Sequence, residues 1–460
     1  MVQVITIILG FLYSTLCVFI NFLLYKRTKK INLLIIFIFT LGIFNGIIPS
    51  FLLNEAIDNN YNFFSNIIIQ YTLYDIFLYY IQNIILLISV ILGWLLTKKD
   101  TSKIIDDKEM CNLINLNCTT IKKISIFMIT SSIILYYLYS LAYGGFIGLL
   151  NYTSAIRSGI FVVNNKFSFL QKFGGLSIFS TLLFYGLLKE KNYSKKDMIW
   201  FIISISFSIY YLYSLGGRVS FIAFFVSLML ASILYKYHNS INIKLVYKIG
   251  FISIAVMLGL YYITNIFARG SGNLSIIDFF MHELSFPFAS FKMMSSLPGK
   301  LMFKHVILAP LYFLPSSIWE YKLGIDTASS FNTFLFMGAY KGENGVTGSI
   351  PLDMVSFSWI EGGVLGGVII GILYGFVVAI LQKRINEIPN RGVKSAIFSY
   401  VAIKFSIIAI NYGDTVHLIQ GEFSFIVGFV FLIYFLKRNI KRTKISKRKG
   451  LQYIAEKHVK

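Results

Sequence analysis

The stretch Tyr210–Leu230 reads YYLYSLGGRVSFIAFFVSLML and is apolar on both sides of one charged residue, Arg218. It joins two predicted membrane helices, 198–216 and 219–235, through the glycine pair that precedes the arginine. A fixed positive charge at membrane depth costs roughly 2.5–3.5 kcal/mol on insertion scales. The stretch therefore predicts a tight pair of helices whose connection lies at the membrane surface.

Apolar segments of this kind recur along the whole chain. Of its 460 residues, 56% are hydrophobic and only 13% are charged, and the mean hydropathy is +0.71. A membrane-spanning helix needs about 20 apolar residues. We therefore predict an all-α polytopic membrane protein that forms one integral membrane domain over 1–460. The eleven predicted spans are 2–25, 31–53, 74–97, 124–143, 173–188, 198–216, 219–235, 249–267, 354–380, 395–411 and 418–436.

The distribution of basic residues predicts the orientation, because cytoplasmic loops are enriched in Lys and Arg. With the N-terminus outside and the C-terminus inside, 31 of the 42 basic residues are cytoplasmic, ten are external and Lys404 lies within a helix. Segment 268–353 then forms one large periplasmic loop between the eighth and ninth helices of an inner-membrane protein. Segment 437–460 forms a basic cytoplasmic tail. The net charge of +22 indicates contact with anionic lipid headgroups, and nucleic acid is not an expected partner.

One further apolar segment, 301–319, lies inside this loop. Lys304, Pro310 and Pro315 interrupt it, and an additional span would move the basic tail outside. We predict that it is re-entrant or interfacial, an arrangement that membranes tolerate where protein or a wet cavity covers the backbone.

Three arginines lie beside glycines in predicted external loops: Arg157, Arg218 and Arg269. Arginine keeps its charge at physiological pH and makes planar, bidentate contacts with phosphate. An external arginine is either an anchor that reaches the membrane surface or a ligand for an anion. Three of them around one cavity would suit a pyrophosphate.

Acidic and imidazole groups on the predicted external side are candidates for a general base. In FFMHELSF, His282 precedes Glu283, but Phe286 stands where a zinc-binding HExxH motif has its second histidine. Asp414 and His417 would share a helical face if their segment is helical. We predict no metal and no cofactor. The candidate catalytic residues are Asp353, Glu361, His282, Asp414 and His417.

The layout and three stretches of the chain resemble the Wzy-type O-antigen polymerases, also called oligosaccharide repeat-unit polymerases. The stretches are YGGFIGLLNYTSAIRSG, LYSLGGRVSFIAFFVSLML and GSIPLDMVSFSWIEGGVLGGVIIGILYG, at 143–159, 212–230 and 348–375. The chain departs from the family in two places. No glycine follows the three arginines at a distance of eleven residues, and Ser356 stands where many relatives have a glutamate, so that Asp353 or Glu361 would have to substitute.

The resemblance implies an enzyme that uses undecaprenyl-pyrophosphate-linked oligosaccharides as donor and acceptor. In this reaction a sugar hydroxyl attacks and a lipid pyrophosphate is the leaving group. Membrane lipids and a regulator of chain length are further expected partners. Two alternatives remain at this point. An O-antigen ligase would use the same donor with lipid A-core as acceptor. A lipid-linked oligosaccharide flippase or other transporter would favour charges deep in several helices, whereas only Asp75 and Lys404 are clear candidates.

The predicted topology can be tested with reporter fusions that respond to their compartment. Fusions after Asn165 and Gly345 should report the external side, and fusions after Lys30 and Lys460 the cytoplasm. The physical reason is the excess of basic residues in the segments assigned to the cytoplasm. A cytoplasmic signal at Gly345 would contradict the prediction, because the large loop would then face the wrong compartment.

Overall fold

The computed structural model describes residues 2–51, 72–97, 107–158, 165–190, 194–237, 259, 286–320 and 322–439. These residues form helices and connecting turns, without a strand among them. Eight of the helices are long and apolar enough to cross a membrane. The chain is therefore an all-α, multi-pass membrane protein, and this part of the sequence-based prediction is confirmed.

The helices are numbered here in chain order. The first nine are α1 (Val2–Thr28), α2 (Leu33–Phe51), α3 (Leu73–Leu96), α4 (Asp107–Ser140), α5 (Gly145–Asn151), α6 (Thr153–Ser158), α7 (Leu176–Leu188), α8 (Lys195–Ser214) and α9 (Arg218–Tyr237). The others are α10 (Phe286–Ser295), α11 (Lys304–Ile307), α12 (Ser316–Trp319), α13 (Ala328–Met337), α14 (Met354–Asn386), α15 (Arg391–Asn411), α16 (Thr415–Ile419) and α17 (423–439). Short 3₁₀ helices cover Leu141–Tyr143, Ser168–Gly175 and Ala309–Phe313.

Local sequence signals determine where several helices begin. Thr72 and Asp75 form a capping box at the start of α3, and Ser194 and Asp197 form another at the start of α8. Such boxes satisfy backbone N–H groups that a helix leaves without partners in its first turn. Asp75 also pairs with Lys292 at 2.6 Å. It is therefore a paired capping residue at the end of a span.

Small residues allow a close contact between α3 and α14. Gly367, Gly371 and Gly375 recur every fourth residue along α14, so they lie on one face of the helix. A Cβ atom added at Gly375 would lie 2.0 Å from the carbonyl oxygen of Val90 on α3. Small residues allow membrane helices to approach so closely that their backbones pack directly.

The basic segments meet at one end of the bundle, which we call the basic end. There the Leu33 backbone N–H donates to Gln382 at 3.0 Å, and Gly392 donates to Glu190 at 3.1 Å. Lys437 lies 3.5 Å from Glu387. Segments 29–32, 190, 387–392 and 437–439 thus share one side, as the distribution of charges requires.

The opposite end carries most of the large loop, and we call it the loop end. Helix α10 packs there against α3 and α14, since the Phe291 ring lies 5.2 Å from Tyr79 and 5.6 Å from Trp359. Segment 301–319 is divided into α11, a 3₁₀ turn and α12, of four, five and four residues, so none of its pieces can span a membrane.

Three of the eleven predicted spans differ from the eight long helices. Span 173–188 is the 13-residue α7 preceded by a 3₁₀ turn; it is short because protein surrounds it on most sides. Span 418–436 is the helix α17, which begins at 423. Span 249–267 lies outside the described residues, apart from residue 259. The chain leaves the basic end at Tyr237 and is next described at the loop end from Phe286 onward.

Gly375→Ala should lower the thermal stability of the purified protein. The new methyl group would meet the Val90 backbone, which cannot move without separating α3 from α14. Overpacking of this kind costs about 1–3 kcal/mol. Gly348→Ala is the matched control, since no atom lies within 4 Å of its added Cβ. Equal melting temperatures for the two variants would show that α3 and α14 are not packed through this glycine.

Candidate functional site

The three predicted phosphate-binding arginines are only partly described. The side chain of Arg157 packs over Gly216, because a Cβ added at that glycine would lie 3.2 Å from Arg157 Cδ. Gly216 has a φ of +61°, which suits the sharp turn between α8 and α9. Arg218 is the first residue of α9, and its side chain lies outside the described part of the chain, as does Arg269. Arg157 and the start of α9 are therefore neighbours at the loop end.

A second cation lies near Arg157. Partial desolvation and the positive charge of Arg157 lower the pKa of Lys341. The loop end thus concentrates positive charge around the turn between α8 and α9.

Asp353 caps helix α14. Its Oδ2 accepts hydrogen bonds from the backbone N–H groups of Val355 and Ser356, at 3.0 and 3.2 Å. Its other oxygen has no hydrogen-bond partner among the described residues, and the side chain is fully buried. Desolvation raises the pKa of Asp353 to about 7. The neighbouring Ser356 hydroxyl donates to the carbonyl oxygen of Pro287, which directly follows the first residue of α10.

Glu361 pairs with His305, a residue that the sequence analysis did not select. Glu361 Oε1 lies 2.5 Å from His305 Nδ1, and Oε2 accepts the backbone N–H of His305 at 3.2 Å. Both side chains are almost completely buried. Glu361 therefore holds segment 301–305 against the bundle with both of its oxygens.

The pair lies at a break in α14. Gly362 and Gly363 have non-helical backbone angles, with a φ of +61° at Gly363 that favours glycine. The Leu301 and Phe303 N–H groups donate to the carbonyl oxygens of Ile360 and Glu361, at 2.9 and 3.0 Å. The loop thus provides donors for carbonyl groups at the broken helix.

Asp414 joins two helices. One oxygen, Oδ2, accepts from the backbone N–H and the hydroxyl of Ser329, both at 2.9 Å, and the other caps α16 through Val416 N–H at 3.0 Å. The carboxylate is buried and fully engaged in this way. The segment is helical, as the spacing argument required, with Asp414 at its N-cap and His417 within it.

Of the predicted catalytic residues, His417 lines an open cavity. The cavity has a volume of about 290 Å³ and lies at the loop end, between α9, α15 and α16. Its lining residues are Lys172, Val219, Ser220, Lys404, Ile408, Ala409, Tyr412, Val416, His417, Leu418, Gln420, Gly421 and Glu422. Val219 directly follows Arg218, so the cavity begins beside that arginine.

The His417 ring stacks on Tyr412, with a centroid distance of 5.3 Å and an interplanar angle of 21°. Desolvation by the surrounding protein lowers the pKa of His417, although the Asp414 carboxylate acts in the opposite direction. At neutral pH the imidazole is therefore predominantly uncharged, which is the form able to accept a proton.

Lys404, Glu422 and Tyr400 form a polar network in the wall of the cavity. Lys404 Nζ lies 2.8 Å from Glu422 Oε1, and the Tyr400 hydroxyl donates to Glu422 Oε2 at 2.8 Å. A π-helical stretch in α15, Ala402–Ile408, contains Lys404. Such stretches are frequent at functional sites in helices.

The sequence contained signals for the residues that were missed. Lys404 is a lone cation within an apolar helix, and ionisable residues in such positions are functional candidates. Lys304 and His305 interrupt the apolar segment 301–319 in the same way. The sequence could not pair Lys404 with Glu422 or His305 with Glu361, because 18 and 56 residues separate the members of these pairs along the chain.

His282 lies outside the described residues. Within the described ranges, no group of three His, Cys, Asp or Glu side chains is arranged to hold a metal ion. Comparisons of the chain with protein-family models, with curated proteins and with solved structures found no match.

The buried carboxyl of Asp353 should make stability depend on pH. Its pKa is about 7 in the folded protein and about 3.9 in an unfolded chain, so folding favours the protonated form. The stability that this group contributes is full below about pH 4 and is lost as the pH rises through 7. Asp353→Asn keeps an N-cap and removes the charge. We expect its free energy of unfolding to be close to that of wild type near pH 4.5 and to exceed it at pH 8 by up to about 4 kcal/mol, with a correspondingly higher melting temperature.

Thermal unfolding of the purified protein across this range measures the effect. Asp326→Asn, at an exposed position in the same loop, is the control and should not change the pH profile. A loss of stability in Asp353→Asn that is larger at pH 8 than at pH 4.5 would contradict the prediction.

Proposed function

We propose that this chain is a membrane glycosyltransferase that polymerises undecaprenyl-pyrophosphate-linked oligosaccharide repeat units into O-antigen or a related surface polysaccharide. The cavity at the loop end carries the proposal, because it combines a neutral imidazole with two lysines and begins beside Arg218. A transferase with a lipid-diphosphate leaving group needs these two elements, a proton acceptor and fixed positive charge, at the membrane surface.

The reaction can be written with the groups of the site. The hydroxyl oxygen of the acceptor sugar attacks the anomeric carbon of the donor, and the bond between that carbon and the diphosphate oxygen breaks. The proton of the hydroxyl passes to His417. The negative charge that develops on the departing diphosphate is stabilised by Arg218 with Arg157 and Arg269. We place the base at His417, which lines the cavity, since Asp353, Glu361 and Asp414 are engaged in caps and buried pairs; His282, the other candidate, lies outside the described residues.

The orientation follows from the charges of the two ends. In this proposal the basic end faces the cytoplasm, because cytoplasmic segments are enriched in Lys and Arg, and the loop end and the N-terminus face the periplasm. The outer surfaces of the helices are apolar; on α1, for example, Leu12, Phe19 and Phe22 are exposed. In this proposal these surfaces face the acyl chains and can accommodate a polyprenyl tail. Donor and acceptor both arrive as lipid-linked molecules on the periplasmic side.

The phenotype of a deletion strain tests the proposal against its alternatives. Surface polysaccharide separated on a gel should show the core with a single repeat unit, because polymerisation alone is lost. Loss of all repeat units would indicate an O-antigen ligase or a flippase. Complementation with the full chain should restore long polymers.

Arg218 gives the sharpest test of the mechanism. Arg218→Lys keeps the charge but loses bidentate contact with phosphate. We expect Arg218→Lys and Arg218→Ala both to reduce polymerisation by about 10²–10³-fold, the usual cost of removing one contact to developing charge, at normal protein levels. The assay uses purified protein and lipid-linked repeat units with EDTA present, since the proposed mechanism requires no metal.

Arg384→Lys is the control, because Arg384 forms an exposed pair with Glu387 at the basic end. A wild-type rate in Arg218→Lys, combined with low abundance of Arg218→Ala, would identify Arg218 as an anchor at the membrane surface. The phosphate contact would then have to come from Arg157 or Arg269.

A further inference from the structure

The charges that line the cavity are not balanced. Glu422 uses one oxygen for Lys404 and the other for the Tyr400 hydroxyl, at 2.8 Å each. Lys404 is therefore neutralised within the wall. No carboxylate among the described residues lies within ion-pair distance of the other lysine of the cavity, Lys172. Within the described part of the chain, the charge of Lys172 consequently has no carboxylate partner.

The backbone around Lys172 is held firmly. Lys172 lies in the 3₁₀ helix Ser168–Gly175, and its carbonyl oxygen accepts a hydrogen bond from the hydroxyl of Ser424 on α17. Gly175 also lies against Ser424, since a Cβ added there would be 3.0 Å from that side chain. These contacts fix the position from which the Lys172 side chain reaches the cavity.

The walls of the cavity also affect the Lys172 ammonium. Desolvation lowers the pKa of Lys172 to about 8, so the group is still mostly charged at pH 7. A desolvated charge without a partner destabilises the folded protein. A bound group of opposite charge would remove this cost, and neutral donors for it are close by, because Ser220 and Gln420 also line the cavity.

We propose that the cavity is a binding site for an oxyanion and that Lys172 is its charged ligand. The oxyanion is the diphosphate of the lipid carrier or the carboxylate of an acidic sugar. This rests on the proposed function and names a chemical class of substrate for the same site. It adds a lysine to the arginines as a source of positive charge.

Binding of small probes to the purified full chain tests the inference. The probes are inorganic pyrophosphate and glucuronate, with glucose as the uncharged reference, and titration calorimetry gives Kd. Lys172→Met should weaken binding of the oxyanion by roughly tenfold or more, the usual effect of losing a charged hydrogen bond. Lys172→Arg should retain it. Lys166→Met is the matched control, because Lys166 is an exposed lysine six residues earlier.

Binding should also weaken as the pH rises through about 8, because Lys172 loses its charge there. The other groups near it do not explain such a profile. His417 has a lowered pKa, and Lys404 is paired with Glu422. The Lys172→Met variant should lose the dependence on pH in this range.

The binding results distinguish the two possible ligands and can overturn the inference. Lys172-dependent binding of pyrophosphate assigns the site to the carrier, and Lys172-dependent binding of glucuronate assigns it to an acidic sugar. Equal Kd values for wild type and Lys172→Met, or no binding of either probe, overturn the inference. A lower melting temperature of Lys172→Met without ligand also overturns it, since an unpartnered ammonium should not stabilise the fold.

The inference and the proposed function fail in different ways. If wild type and Lys172→Met polymerise repeat units at the same rate, the oxyanion site is wrong and the function stands. If wild type does not polymerise but binds an oxyanion through Lys172, the site stands and the function is wrong.

Discussion

The broken helix α14 is the constraint on which the arrangement of the loop end depends. At Gly362 and Gly363 the helix leaves its regular path inside a membrane-spanning segment, where backbone groups must find partners within the protein. Segment 301–303 supplies such donors through Leu301 and Phe303. Met302 and Phe303 have φ values of +50° and +62°, a conformation that non-glycine residues adopt at some cost. The surrounding contacts therefore have to hold this segment in place.

Those contacts extend from the break to the cavity. Glu361 holds His305 at 2.5 Å, and the carbonyl oxygen of His305 accepts the hydroxyl of Thr415 at 3.2 Å. Thr415 begins α16, the helix that presents His417 to the cavity. Asp414 fixes the same helix to α13 through Ser329. Asp414 directly, and Glu361 through His305, thus contact the helix that carries His417.

The sequence predicts helices more readily than it predicts the contacts of the candidate site residues, and the reason is physical. A membrane span is a local property, because the apolar character of about 20 consecutive residues decides it. Spans such as 74–97 and 354–380 therefore correspond closely to α3 and α14. The short helix α7 was placed correctly, but its length depends on the helices that surround it.

The role of an ionisable residue depends instead on contacts that are distant along the chain. Asp353, Glu361 and Asp414 resemble candidate bases in the sequence, and only their folded partners show that they are caps and pairs. Lys172 illustrates the reverse case. Nothing in its local sequence distinguishes it from Lys166. Only the folded protein shows that Lys172 lines the cavity and that no carboxylate of the described residues pairs with it.

The distribution of paired and unpaired charge separates the roles of the two parts of the bundle. Where α3 and α14 cross, glycines bring the backbones into contact at Gly371 and Gly375, which leaves little space for a solute between these two helices. The pairs Asp75–Lys292 and Lys404–Glu422 lie toward the loop end, and each neutralises itself. His417 and Lys172 line the cavity, and no carboxylate among the described residues forms an ion pair with Lys172. Under the proposed function, the substrate would therefore be bound in the cavity at the loop end and not between α3 and α14.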